Sequence, residues 1–164
     1  MMISSAMNAK LNEQIQGEFS AAHGYLAMAC AFDAMGLKIL ARKFLGQHEE
    51  EREHGMKILH YLQEVGGTVT LSAIDEPRTD YTTAESIVTA ALDSELHVTK
   101  MINEVMALAE SEKDYATRSF LQWFVDEQVE EVSQMTDLLN LVKMAGGNLL
   151  QVEARVRHEM MSNK

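Results

Sequence analysis

The chain has 164 residues, enough for one domain with a substantial core and too few for two ordinary ones. Its 14 Lys and Arg stand against 25 Asp and Glu, a formal charge of −11, which argues against nucleic-acid or anionic-membrane binding and favours cationic ligands. The single cysteine, Cys30, excludes an internal disulfide, a CxxC redox pair and any zinc site that needs two cysteines.

No apolar run approaches the length of a membrane span, and the first residues lack the apolar core of a signal peptide, so a soluble cytoplasmic protein is expected. One proline, Pro77, and an abundance of Ala, Leu, Glu and Lys without alternating β-branched runs predict an all-α chain. The first helix is expected from about Ser5 to Ala34, stopping near Met35-Gly36. The second runs from Lys38 to Val65 and ends at Gly66-Gly67, a left-handed cap. Residues 67–82 hold the proline and no helical period, and form a long connection. Thr82-Thr83-Ala84-Glu85 supplies an N-cap and an early acid for the third helix, which ends near Ser111. Lys113-Asp114 opens the fourth, reaching Met144 before Gly146-Gly147. A short amphipathic piece, Leu149 to Met160, closes the chain. Short links make two antiparallel hairpins. A helix of this length is roughly 40 Å long, and sixteen extended residues span about that distance, so the long link crosses the whole bundle. A four-helix bundle with one long crossover and a short fifth helix follows, as a single domain over residues 1–164.

Each helix carries an apolar seam broken near its middle. The first reads Leu11, Ile15, Glu18, Ala22, Tyr25; the second, Phe44, Gln47, Glu51, His54, Ile58; the third, Val88, Ala91, Glu95, Val98, Ile102; the fourth, Leu121, Phe124, Gln128, Glu131, Met135. Four acids and one histidine, with the seam glutamines Gln47 and Gln128, therefore point inward at similar depth. The two halves repeat: 33 positions separate Glu18 from Glu51 and Glu95 from Gln128, while 36 separate Glu18 from His54 and Glu95 from Glu131. Such a repeat predicts a pseudo-twofold site. Buried carboxylates are destabilising unless a positive charge joins them, and no buried Lys or Arg matches these. Divalent cations are the obvious counter-charge. Glu51 and His54 share one face at i,i+3, and an oxygen-rich set with one imidazole suits iron or manganese better than structural zinc.

At these residues the sequence resembles a bacterial non-heme ferritin of the ferritin-like di-iron superfamily, over nearly its whole length. The resemblance is carried by LNEQIQGEFSAAHGYLAM, EEREH and FLQWFVDEQVEEV. It implies a first iron site at Glu18, Glu51 and His54, and a second at Glu51, Glu95 and Glu131, with Gln128 adjacent as a hydrogen-bonding or weak ligand. Glu50, Glu127 and Glu130 match the family's third iron site, and Tyr25 its tyrosine beside the di-iron centre, a candidate electron donor. The implied activity is a ferroxidase that oxidises Fe(II) with dioxygen or hydrogen peroxide and deposits a ferric mineral in a 24-subunit cage. In the family the fifth helix lines a fourfold axis, a role for the stripe Leu149, Leu150, Val152, Val156 and Met160. A second ExxH, found in bacterioferritins and rubrerythrins, is replaced by Gln128-Val129-Glu130-Glu131. Position 52 is Arg where bacterioferritins place a heme methionine, so no heme is expected. A di-iron oxygenase acting on an organic substrate and a metal-free helical module remain as alternatives. Cys30 reads as a small buried apolar residue, Trp123 as core or interface packing, and the other histidines as surface or interface residues.

Overall fold

Helices α1 (Ser5–Ala34), α2 (Lys38–Glu64), α3 (Ala84–Glu112), α4 (Tyr115–Ala145) and α5 (Leu149–Ser162) make up the regular structure of residues 2–163, which the computed structural model describes. No strand occurs among the described residues. Capping explains most of the boundaries. Ser4 Oγ accepts from the Met7 amide at 2.9 Å, and Asp114 Oδ1 from the Thr117 amide at 3.0 Å. Thr83 caps α3, with Ser86 rather than an acid completing the reciprocal box. Helix α2 has no cap of its own. Glu153 of α5 supplies one, accepting from the amides of Ile39 and Leu40 at 3.1 and 2.7 Å, so docking α5 satisfies two of the orphan donors of α2.

Three helix ends share one hydrogen-bond pattern. After α1, the Leu37 amide reaches Phe32 O and Gly36 sits at φ +78°; after α2, the Gly67 amide reaches Leu62 O and Gly66 sits at φ +75°. After α3 the same pattern forms, Asp114 to Ala109 O, but the left-handed position is Lys113, at φ 57°. A side chain with a Cβ costs about 1–2 kcal/mol there. Losing the lysine charge at a helix C-terminus returns about 0.3–1 kcal/mol. Lys113→Gly is therefore expected to melt higher than the parent, and clearly higher than Lys113→Ala, which loses the charge and keeps the Cβ. Thermal unfolding followed by circular dichroism checks the order.

Helix α1 packs against α2 and α3, α3 packs against α4, and α5 lies across α2 and α4. No Cα of α2 comes within 8 Å of one in α4, so side chains alone close that side of the bundle. The crossover is fastened to α1 by a ladder of amides one turn apart. Asn8 Oδ1 accepts from the Thr68 amide and Asn12 Oδ1 from that of Thr70, while Gln16 Nε2 donates to Ala73 O.

Two apolar clusters fill the interior. One gathers Phe32, Leu40, Phe44, Ile87, Val88 and Met135 with α5; the other gathers Met7, Leu11, Ile15, Ile58, Leu62, Ile102 and Phe124. The polar band lies between them. Most of the α5 stripe is spent inside the chain: Val152 and Val156 are buried, and Leu149 and Met160 pack against the first cluster, leaving Leu150 exposed. Cys30 is exposed rather than buried, because it lies one residue beyond the inward face marked by Tyr25, Ala29 and Phe32.

Candidate metal centre

Each helix delivers its polar residues to one level by turn spacing alone. Gln14 and Glu18 lie one turn apart on α1, Gln47, Glu51 and His54 on successive turns of α2, and Gln128 and Glu131 on adjacent turns of α4; Glu95 comes from α3. Glu18, Glu51, His54, Glu95, Gln128 and Glu131 are all brought together, none more than 5% exposed. The interlock of α1 with α2 at this level is tight. The ring of Phe19 lies where a Cβ on Gly55 would stand only 2.5 Å from its Cε1, so glycine beside His54 lets the two helices close around the acids.

His54 Nδ1 lies 3.3 Å from Glu51 Oε2 and 3.9 Å from Glu18 Oε2. One donor atom from each of these three residues lies within 4.8 Å of the other two. On the opposite side, Gln128 Nε2 donates to Glu95 Oε2 at 3.2 Å and to Thr99 Oγ1 at 3.0 Å, and the Tyr25 hydroxyl makes a short hydrogen bond to Glu95 Oε1. Gln47 Nε2 donates to Glu131 Oε2 at 2.9 Å. Glu51 lies between these groups with both oxygens unpartnered; Glu18 Oε2 and His54 Nδ1 are unpartnered too.

The electrostatics follow from burial. Removal from water, then the neighbouring Glu51 charge, holds the Glu18 carboxyl well above the usual carboxylate range. Burial followed by Glu95 does the same to Glu51. Glu131 is pushed up to about 8 by burial, then by Glu95 and Glu50. Burial and the adjacent Glu95 raise the Tyr25 phenol. No Lys or Arg is buried among the described residues. Orphaned carboxylate oxygens, one free imidazole nitrogen and no buried counter-charge fit the binding of hard divalent cations.

The outer wall is built on the wide α2–α4 side. Trp123 stands edge-on to His54, ring centroids 5.4 Å apart, and Lys57 Nζ sits 3.3 Å from the indole centroid. Trp123 is half-exposed there. Desolvation lowers the Lys57 pKa, with Glu127 opposing the shift. Of the residues assigned to a third iron site, Glu127 is half-buried and comes within reach of His54 and Glu131. Glu50 is exposed yet close enough to raise Glu131, while Glu130 is exposed and joins no such group among the described residues. Sequence reasoning assigned no role to Gln14, Gln47 or Thr99. The signal for Gln14 was its place four residues before Glu18, and for Gln47 its place in the inward seam of α2.

Residues 8–145 match the family model of the ferritin-like domain. A ferritin BfrB of Mycolicibacterium smegmatis is 37% identical over 158 residues, covering 96% of this chain and 87% of that one. A bacterial non-heme ferritin of Staphylococcus aureus is 37% identical over 145 residues, covering 88% and 87%. Among solved structures, an open-pore ferritin from the hyperthermophilic archaeon Archaeoglobus fulgidus superposes with a TM-score of 0.92 at 37% identity, covering 94% of this chain and 96% of that one. The agreement runs through both hairpins and the crossover, and on that evidence the chain belongs to the ferritin family.

Proposed function

We propose that this chain is an iron-storage ferroxidase of the bacterial non-heme type, working in the cytoplasm as one domain over residues 1–164. The observation that carries the reading is the set of unpartnered buried oxygens on Glu18 and Glu51 beside the free His54 nitrogen. Fe(II) is the substrate. Glu18, Glu51 and His54 take one ion; Glu51, Glu95 and Glu131 take the second, with Gln128 holding Glu95. Hard anionic oxygens stabilise Fe(III) over Fe(II), which favours transfer of electrons to dioxygen or hydrogen peroxide. A single neutral imidazole keeps the set labile enough for the oxidised ions to leave and mineralise. Tyr25, bonded to Glu95, is placed to give an electron. Glu127 and Glu50, with Glu130 further out, form a weaker third site on the α2–α4 side. No heme is bound. Subunits assemble into a 24-subunit cage whose acidic charge draws in cations.

The test combines assembly and chemistry. The purified protein is expected to run as a particle of 24-subunit mass. Under anaerobic conditions Fe(II) should quench the fluorescence of Trp123, the one tryptophan, because its ring abuts His54. Admission of air should then give ferric absorbance and retained mineral with no organic co-substrate. A monomer or dimer that binds no Fe(II) sinks the reading; a requirement for an organic co-substrate redirects it to an oxygenase.

A further inference from the structure

Among the described residues, the buried side-chain atoms without a hydrogen-bond partner are Glu18 Oε2, both oxygens of Glu51, His54 Nδ1 and Gln14 Oε1. Cations in the cluster satisfy the first four. Gln14 stands outside that set, fully buried one turn before Glu18, amid the apolar stripe of Met7, Leu11 and Ile15. Its Nε2 donates to Glu18 Oε1 at 2.9 Å, while its own oxygen accepts nothing. Burying an amide with an unsatisfied acceptor is destabilising, so the fold alone does not select glutamine here.

We infer that Gln14 is a positioning residue for cation capture: its amide ties down Oε1 of Glu18 and leaves Oε2, 3.9 Å from His54 Nδ1, as the one oxygen free for a cation. The inference rests on the cation-site reading above. An untied carboxylate turns about its soft terminal torsion and can close on an ion with both oxygens; a tied one offers a single donor in a fixed direction. Amide and hydroxyl donors hold two of the other acids: Glu131 at one oxygen, like Glu18, and Glu95 at both. Gln47 holds Oε2 of Glu131, and Glu95 is held at Oε1 by Tyr25 and at Oε2 by Gln128. Only Glu51, central to the cluster, is untied at both oxygens, as a ligand shared by two ions requires.

Co(II) is the probe, because its visible absorption reports coordination without iron chemistry. The parent, Gln14→Met and Gln14→Leu are titrated with Co(II) as assembled protein, alongside particle mass and thermal melting. The expected result is unchanged particle mass, first-ion affinity about ten- to a hundredfold weaker, and an altered absorption band. Affinity and band identical to the parent's overturn the inference. So does a lowered melting temperature with an unchanged band, which marks a purely structural role. Failure of both variants to fold also overturns it, since the amide then belongs to the fold. A parent that binds no Co(II) at all brings down the cation-site reading itself, before any variant is compared.

Discussion

Glu51→Ala is expected to abolish fast Fe(II) oxidation, lowering the initial rate by more than about a hundredfold, while the protein still assembles. Glu51 is the one buried acid of the cluster whose two oxygens are both free, and it lies between the Glu18–His54 pair and the Glu95–Glu131 pair. In the proposed site its loss removes a ligand from both ions at once. The apolar clusters above and below the polar band are untouched, so folding survives. Removing one buried like charge relieves the others, and the cation-free variant should melt no lower than the parent. His54→Ala should fall close to it in rate, having lost the only nitrogen ligand. Glu127→Ala and Glu130→Ala should keep the initial reaction and change its stoichiometry or turnover. The milder effect is expected for Glu130, which is exposed and joins no cluster of candidate ligands among the described residues. Stopped-flow absorbance after mixing with Fe(II) in air decides the order. Oxidation by Glu51→Ala at the parent's rate would mean that the site has been wrongly assigned.

The helices and the inward polar cluster were legible because the bundle repeats one simple signal. A seam with a period near 3.6 residues is readable wherever leucines and valines mark it. An acid in that seam stands out against them, as Glu95 does between Ala91 and Val98. The glycines Gly36 and Gly66 were equally plain as helix stops, and at Gly66-Gly67 residue type alone announces a left-handed cap. Three features escaped for reasons that can be named. Gln14 holds Glu18, but a glutamine outside the seam is ordinarily a surface residue; Gln47 stood in the seam, yet only the geometry of its hydrogen bond to Glu131 reveals its task. Lys113 adopts a conformation its residue type disfavours, held by the hydrogen bond from Asp114 to Ala109 O. The α5 stripe reads as a surface for other subunits. Seating it on the core depends on tertiary placement, including the long-range cap from Glu153 to α2, which no local pattern encodes.

The same buried acids make stability depend on pH in an unusual direction. Glu18, Glu51 and Glu131 all hold their protons in the folded state above the pH at which an exposed carboxylate releases them, Glu131 up to about 8. Below the unfolded value of 4.5 both states are protonated and burial of these groups carries no ionisation penalty. Between 4.5 and about 8 the folded chain binds more protons than the unfolded one, so stability falls as pH rises. Cation-free protein should therefore melt lower at pH 8 than at pH 5.5. A redox-inert divalent ion such as Zn(II) binds the ionised carboxylates, displaces their protons and stabilises only the folded state. Its stabilising effect should be larger at pH 8, shrinking or reversing the difference between the two conditions. Proton release is measured with an indicator dye in weak buffer, and melting by calorimetry at both pH values. The repulsion of a chain with net charge −11 also grows with pH, so Glu18→Gln and Glu131→Gln serve as controls that leave the surface alone. Each should flatten the cation-free profile and reduce the protons released. If the variants reproduce the parent's slope, surface charge alone drives it and the buried acids are not the titrating groups. If Zn(II) neither releases protons nor raises melting at pH 8, the cluster does not bind divalent cations.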